Sequence, residues 1–175
     1  MPEVRRAAKE DAAAISQVHV RAWQVAYRGF FPDEFLDGLS DSVSDRVSWR
    51  QGNLGRPADR SATLVVSDTG GQVVGFVDTS PTRDDDLDSA AVGEVLAIYV
   101  SPRHWGQGFG KLLLEGAEIQ LRKDGFTEAM LWVLTDNRRA RRFYEALGWL
   151  HDGATKEDEF GGNPITEVRY LKNLS

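Results

Sequence analysis

The stretch EVLAIYVSPRHWGQGFGKLLLEGAEIQLRKDG, residues 94–125, constrains the fold more than any other part of this chain. It opens with a nearly all-apolar run, too short for a core helix and suited to a strand covered on both faces. The run ends at Ser101-Pro102, and glycines follow at 106, 108 and 110. A helical pattern then runs to a basic end, Arg122 and Lys123, with Gly125 as its stop. Its spacing predicts an inner face of Phe109, Leu112, Leu113, Gly116 and Ala117, with Glu115, Glu118 and Arg122 toward water. A buried strand, a glycine turn and a helix in succession require a sheet with helices packed on it.

The glycines, lacking Cβ, let the backbone take open φ values and approach a ligand closely, while the first N–H groups of the helix lack internal partners. Together with the positive end of the helix dipole these donors suit phosphate oxygens, and Lys111 adds a point charge. Two phosphate loops are excluded by spacing. The P-loop needs GxxxxGK followed by Ser or Thr, but here the lysine is followed by Leu112. The dinucleotide fingerprint GxGxxG has its third glycine where Lys111 stands.

The rest of the chain fits the same architecture. EVRRA near the start reads as a short edge strand, and Asp11 as the cap of a helix with Ile15, Val18, Ala22 and Val25 on its apolar face. A second stripe on that helix is His19, Trp23 and Tyr27. Short helices follow, with Pro32 near the start of the first and Gly38 as a stop. TLVVS and QVVGFVDTS read as a hairpin across Gly70-Gly71. PTRDDDLDSAA reads as a polar surface loop. TEAMLWVL is a further buried strand, and Asp136 or Asn137 caps a helix carrying Ala140, Phe143, Tyr144 and Leu147 up to Gly148. Strands over Trp149 to Thr155 and Ile165 to Lys172 close the chain as a hairpin.

Composition narrows function. With 175 residues, no repeat and no linker, the chain reads as one domain over 1–175. No apolar run reaches the roughly 18 residues of a membrane span, and the N-terminus lacks a signal-peptide core, so a cytoplasmic, membrane-free protein is expected. The absence of Cys excludes disulfides, a thiol nucleophile and thiolate metal sites. The three His are scattered, and no metal is expected. Asp84, Asp86 and Asp88 imitate half an EF-hand loop, but Ser89 and Val95 stand where its glycine and bidentate Glu belong. A net charge of −6 argues against nucleic acid and favours a cationic ligand.

One resemblance joins these segments. EVLAIYVSPRHWGQGFGKLLLE, followed by NRRARRFYEALGW, resembles the acyl-coenzyme A site of the GNAT acetyltransferase superfamily, whose strand ending in V-x-P leads to (Q/R)-x-x-G-x-G and later to N-x-x-A-x-x-F-Y-x-x-x-G-(F/W). The second block is met at Asn137, Ala140, Phe143, Tyr144, Gly148 and Trp149. One departure is that Trp105 stands where the family has Gln or Arg; Arg103 is close enough in sequence to supply a donor. The resemblance implies an α/β (α+β) fold, with a mixed, mostly antiparallel sheet of about seven strands flanked by helices and splayed between the fourth and fifth strands.

It also implies a chemistry: direct transfer of the acetyl group of acetyl-coenzyme A to a primary amine of a small molecule, peptide or protein terminus. The implied cofactor site is Trp105, Gly106, Gln107, Gly108, Phe109, Gly110 and Lys111 for pyrophosphate, Ile98, Tyr99 and Val100 for the pantetheine arm, and the Asn137 amide. A backbone N–H near Ile98 would face the oxyanion. An ammonium of pKa near ~10.4 must lose a proton before attack, and Glu94, the only acid in the central strand, is the candidate base, acting directly or through water. A second family position for the base is Trp132 here and cannot serve. Tyr144 is the candidate acid for the departing thiolate.

Trp23 and Tyr27, with His19, either line the acceptor pocket, as the first helix does in relatives, or pack in the core. Arg138, Arg139, Arg141 and Arg142 crowd a helix start, where an anion such as the coenzyme A 3′-phosphate would offset them. The rival function is a non-catalytic acyl-coenzyme A sensor or assembly subunit. Dimers are common among relatives, which leaves a homodimer open.

Overall fold

The computed structural model describes residues 2–56 and 58–175. Among them are strands β1 (Glu3–Arg6), β2 (Ala62–Ser67), β3 (Val73–Pro81), β4 (Val92–Val100), β5 (Glu128–Leu134), β6 (Leu150–Phe160) and β7 (Asn163–Asn173). The α-helices are α1 (Ala12–Ala26), α2 (Asp33–Gly38), α3 (Val43–Leu54), α4 (Phe109–Lys123) and α5 (Arg138–Ala146). The strands form one mixed seven-stranded sheet in the order β1-β2-β3-β4-β5-β7-β6. The parallel pairing of β4 with β5 runs only from Val92↔Glu128 to Glu94↔Met130, which matches the expected splay between them. The chain divides into two compact units, one of Ala97–Ala117 with the chain up to Asp78, the other of Thr79–Leu96 with Glu118–Ser175.

In the first unit β1 pairs antiparallel with β2, from Glu3↔Ser67 to Arg6↔Leu64. The turn from β2 to β3 is closed by Asp68, whose Oδ1 accepts from the N–H groups of Gly70 and Gln72 at 2.9 Å each. Ile15 and Val18 of α1 meet Val65 and Phe76 in a core cluster, with Tyr99 and Ala97 packed against it. Arg50 of α3 is buried and forks onto Asp78, with two bonds of 2.9 Å.

Two expectations for this unit are corrected. Asp11 does not cap α1 with its side chain; its carboxylate accepts from the Ala8 N–H at 2.7 Å and pairs with Arg5, closing a 3-10 turn before the helix. Val25 is exposed, because by the end of α1 the stripe has rotated off the core. As expected, α2 stops at Gly38, and a separate 3-10 turn, Leu39–Ser42, then leads into α3.

In the second unit β5 pairs antiparallel with β7, from Glu128↔Asn173 to Leu134↔Glu167. The β6–β7 hairpin is longer than its apolar pattern suggests and carries an irregularity between His151 and Thr155. Both major helices end as Schellman motifs on left-handed glycines. Gly125 and Phe126 donate to the carbonyls of Arg122 and Leu121; Gly148 and Trp149 donate to those of Glu145 and Tyr144.

The inner face of α4 is Phe109, Leu113, Leu114, Ala117 and Leu121, while Leu112 is exposed, so the face lies one step round from the expected one. Glu118 also corrects the sequence reading: it is buried, accepting from Trp149 Nε1 at 3.2 Å and Lys172 Nζ at 2.9 Å. A buried carboxylate is stable there because both partners are donors and one is a cation.

Candidate active site

The glycine turn belongs to the first unit. β4 ends at Val100, a 3-10 turn spans Pro102–His104, and α4 begins at Phe109. Gly106 and Gly108 have φ of +74° and +88°, values that L side chains rarely adopt. A Cβ built on either would meet no atom within 4 Å, so the outer side of the turn is open. Among the described residues no partner is found for the main-chain N–H groups from Gly106 to Lys111; the first bond closing the helix runs from Leu112 N–H to the Gly108 carbonyl at 3.1 Å. The geometry is therefore a row of uncommitted donors at a helix start, with open space at the Cβ positions of Gly106 and Gly108, and it fits an anionic phosphate.

Side chains hold this turn in place. The Trp105 indole N–H donates to the Val100 carbonyl at 2.8 Å, tying the loop back to the strand end. Phe109 is buried, with its ring edge-on to His104 at 5.7 Å. Gln107 Nε2 donates to the Arg103 carbonyl at 3.1 Å, and Lys111 lies 3.8 Å from Glu115, so neither is as free as the sequence suggests.

Tyr99 turns its side chain toward α1. Its hydroxyl accepts from Trp23 Nε1 at 2.7 Å, and its ring stacks on His19 at 4.8 Å. Burial, reinforced by the charges of Arg46 and Arg50, lowers His19 to about 4, so the imidazole is neutral at pH 7. Trp23 and Tyr27 meet edge to face at 4.5 Å and both contact Phe31. The structure thus brings Trp23, Tyr27, Ile98, Tyr99 and Val100 together with the glycine turn in this unit.

Glu94, Asn137 and Tyr144 lie in the second unit. Glu94 is 2% exposed, and its carboxylate accepts from Arg83 through the main-chain N–H at 3.2 Å, Nε at 3.3 Å and Nη2 at 3.0 Å. Asn137, of the two residues proposed as caps, accepts from the Ala140 N–H at 3.1 Å through Oδ1, which leaves its Nδ2 protons uncommitted among the described residues. Tyr144 is buried among the rings of Phe143, Trp149 and Tyr170. Of the four arginines at the α5 start, Arg141 is committed to structure, donating to the Tyr170 hydroxyl and the Thr135 carbonyl.

Sequence reasoning missed a charged assembly in this unit. Arg169 of β7 is 5% exposed and bonds Asp84, Asp86 and Asp152 at 2.7–2.8 Å. Trp132 Nε1 also donates to Asp84. The acidic loop is thus pinned to the sheet by an arginine and an indole; among the described residues no group of acids and histidines is arranged to hold a metal. Glu167 of β7 has its carboxyl raised by burial, with Lys156 at 3.9 Å opposing that rise. The only sequence signal for this assembly was an apolar strand interrupted by Arg169 and Glu167. Among the described residues no helix is long and apolar enough to cross a membrane.

Comparison with known proteins agrees with this geometry. A family model, the acetyltransferase (GNAT) family, matches residues 13–149. An uncharacterized N-acetyltransferase of Bacillus subtilis, YuaI, is 32% identical over 139 residues, covering 78% of this chain and 74% of that protein. The spermidine N(1)-acetyltransferase of Thermoplasma acidophilum is 23% identical over 96% of this chain and 97% of its own length. Among solved structures, the PaiA N-acetyltransferase of T. acidophilum in complex with coenzyme A superposes with a TM-score of 0.73 at 21% identity, covering 99% of both chains.

Proposed function

This chain belongs to the acetyltransferase (GNAT) family, and we propose that residues 1–175 act as one N-acetyltransferase domain that moves the acetyl group of acetyl-coenzyme A directly onto a primary amine. The acceptor class is an amine of a small molecule, a peptide or a protein terminus. The observation that carries the reading is the run of main-chain donors from Gly106 to Lys111, uncommitted among the described residues, in a turn that is open at the Cβ positions of Gly106 and Gly108. These donors would hold the pyrophosphate. Ile98, Tyr99 and Val100 would offer main-chain groups to the pantetheine arm as a neighbouring strand does. Asn137 would add its Nδ2 protons. When bound, acetyl-coenzyme A supplies an activated thioester carbonyl.

The chain's own residues supply the proton transfers. Glu94 takes a proton from the acceptor ammonium at a carboxylate oxygen; its burial beside a cation supports a defined, water-poor position for that transfer. Tyr144 gives its hydroxyl proton to the departing sulfur; a phenol is protonated at pH 7 and so able to donate. Trp23 and Tyr27 form an aromatic wall for the acceptor. The relative acting on spermidine, by its name an amine acetyltransferase, supports the acceptor class.

The test is release of coenzyme A thiol from acetyl-coenzyme A, followed against a panel of primary amines. Release that depends on an amine and is abolished in Glu94→Gln is expected. Tight coenzyme A binding with no release for any amine would replace this reading with that of a binding module.

A further inference from the structure

The surroundings of Glu94 contain more than a base requires. This carboxylate is 2% exposed, yet among the described residues every hydrogen bond it accepts comes from one residue, Arg83. A carboxylate taken out of water needs a counter-charge. Here that charge arrives on an arm that is itself 70% exposed. An ion pair with one partner so open to water is weakly held and readily exchanged.

The backbone of Arg83, by contrast, is fixed. The Thr82 N–H donates to the Val92 carbonyl at 3.0 Å, and Asp84 is clamped by Arg169 and Trp132. The Arg83 N–H therefore stays on Glu94 Oε2 whether or not the guanidinium does. The carboxylate is oriented by main chain and neutralised by a removable side chain. A second largely buried carboxylate, Glu167, senses the charges of both Glu94 and Arg83, and its nearest cation is Lys156 at 3.9 Å. If the guanidinium withdraws, this region is short of one positive charge.

We propose that the Arg83 guanidinium is a built-in occupant of the acceptor's ammonium position, which a cationic primary amine must displace from Glu94 before it can react. The proposal rests on the reading of Glu94 as the base. In the exchange one ion pair breaks and one forms: Arg83 turns into solvent, where most of it already lies, and the ammonium takes its place. One N–H proton of that ammonium then passes to Glu94, freeing the nitrogen lone pair. Arg83 thereby sets the concentration of cationic acceptor at which the site fills, and an acceptor without charge gains nothing from its removal.

The test compares the parent chain with Arg83→Gln and Arg83→Lys, using butylamine, cationic at pH 7, and aniline, uncharged at pH 7. KM is taken from thiol release, and Kd from NMR titration of the protein with each amine, which needs no turnover. Arg83→Gln is expected to lower both constants for butylamine by about two- to fivefold, the range that an exposed ion pair spans. The same variant does not lower the aniline Kd, because an uncharged amine gains nothing from the vacated position, and Arg83→Lys retains the parent Kd for both amines. A rise in the butylamine constants, or a fall in kcat for both amines, would instead make Arg83 a residue that only positions Glu94. Equal butylamine Kd in parent and Arg83→Gln overturns the proposal. Thiol release that fails with every amine, while the Kd difference persists, overturns the enzymatic reading and leaves the cation exchange standing.

Discussion

Acidification should unfold this protein in part through one residue, His19. Its imidazole stacks on Tyr99 at 4.8 Å and leans on Phe76 at 5.5 Å, and burial lowers its pKa from 6.5 to about 4. Because the folded pKa lies below the unfolded one, the unfolded chain binds the extra proton between about pH 6.5 and pH 4, and stability falls as pH falls through that window. Linkage gives a loss of about 2 kcal/mol by pH 5 and about 3 kcal/mol by pH 4, from this group alone. That is a large share of the roughly 5–15 kcal/mol that holds a domain together. Other groups titrate over the same range, so the quantity to measure is a difference. Urea unfolding at pH 7, 5 and 4 should show the parent losing these amounts beyond His19→Phe, which keeps an aromatic ring in the stack and cannot take up a proton. Parallel losses in the two proteins, or an imidazole NMR titration centred near 6.5, would refute the argument.

Gly108→Ala places a side chain at φ +88°, a strain of about 1–2 kcal/mol that should lower Tm by roughly 2–8 °C. Its larger effect should be on coenzyme A: losing one bond to a charged oxygen, ~1.5–3 kcal/mol, raises Kd by about 10- to 150-fold, and calorimetry finding equal affinity would remove the turn as the phosphate site. Tyr144→Phe should lower kcat by roughly 100-fold or more while coenzyme A affinity holds, and an unchanged kcat would remove the phenol as the acid. Gly93→Ala puts a Cβ 2.5 Å from Leu121 Cδ2 and 3.0 Å from Phe126 Cδ2, both buried, which should cost ~1–3 kcal/mol and about 2–12 °C in Tm; a thermal melt matching the parent would show that α4 can shift away.

What the sequence revealed divides along the range of the forces involved. The glycine turn, the Asn137 cap and the Gly125 and Gly148 helix ends are set by φ values and bonds within a few residues, and all were legible. Glu118 was not, because what makes its burial tolerable is an indole 31 residues away and an ammonium 54 residues away. Charge on a helix reads as solvent-facing until a tertiary partner is known. The acidic loop failed for the same reason. Asp84 and Asp86 look like a solvated run, and only the fold brings Arg169 to them across more than 80 residues. At Trp105 the sequence showed a departure from the family's Gln or Arg but not its role, which the bond to Val100 supplies.

The same division separates the two ligands of the proposed reaction. A phosphate is gripped by main-chain N–H groups, which every residue but proline carries, so the chain needs only to keep one continuous bend in shape. Trp105 does this by donating a hydrogen bond from its indole N–H to a carbonyl five residues back, and a change of side chain there leaves the main-chain donors in the sequence. An acceptor amine has no such main-chain site. In the proposed reaction its charge would be read at Glu94 on β4 and Arg83 on the loop before it, near Glu167 on β7, three segments that meet only after folding. A motif can therefore locate the cofactor from sequence while the acceptor stays hidden, and acceptor preference should reside in the loop over residues 82–91 and in β7.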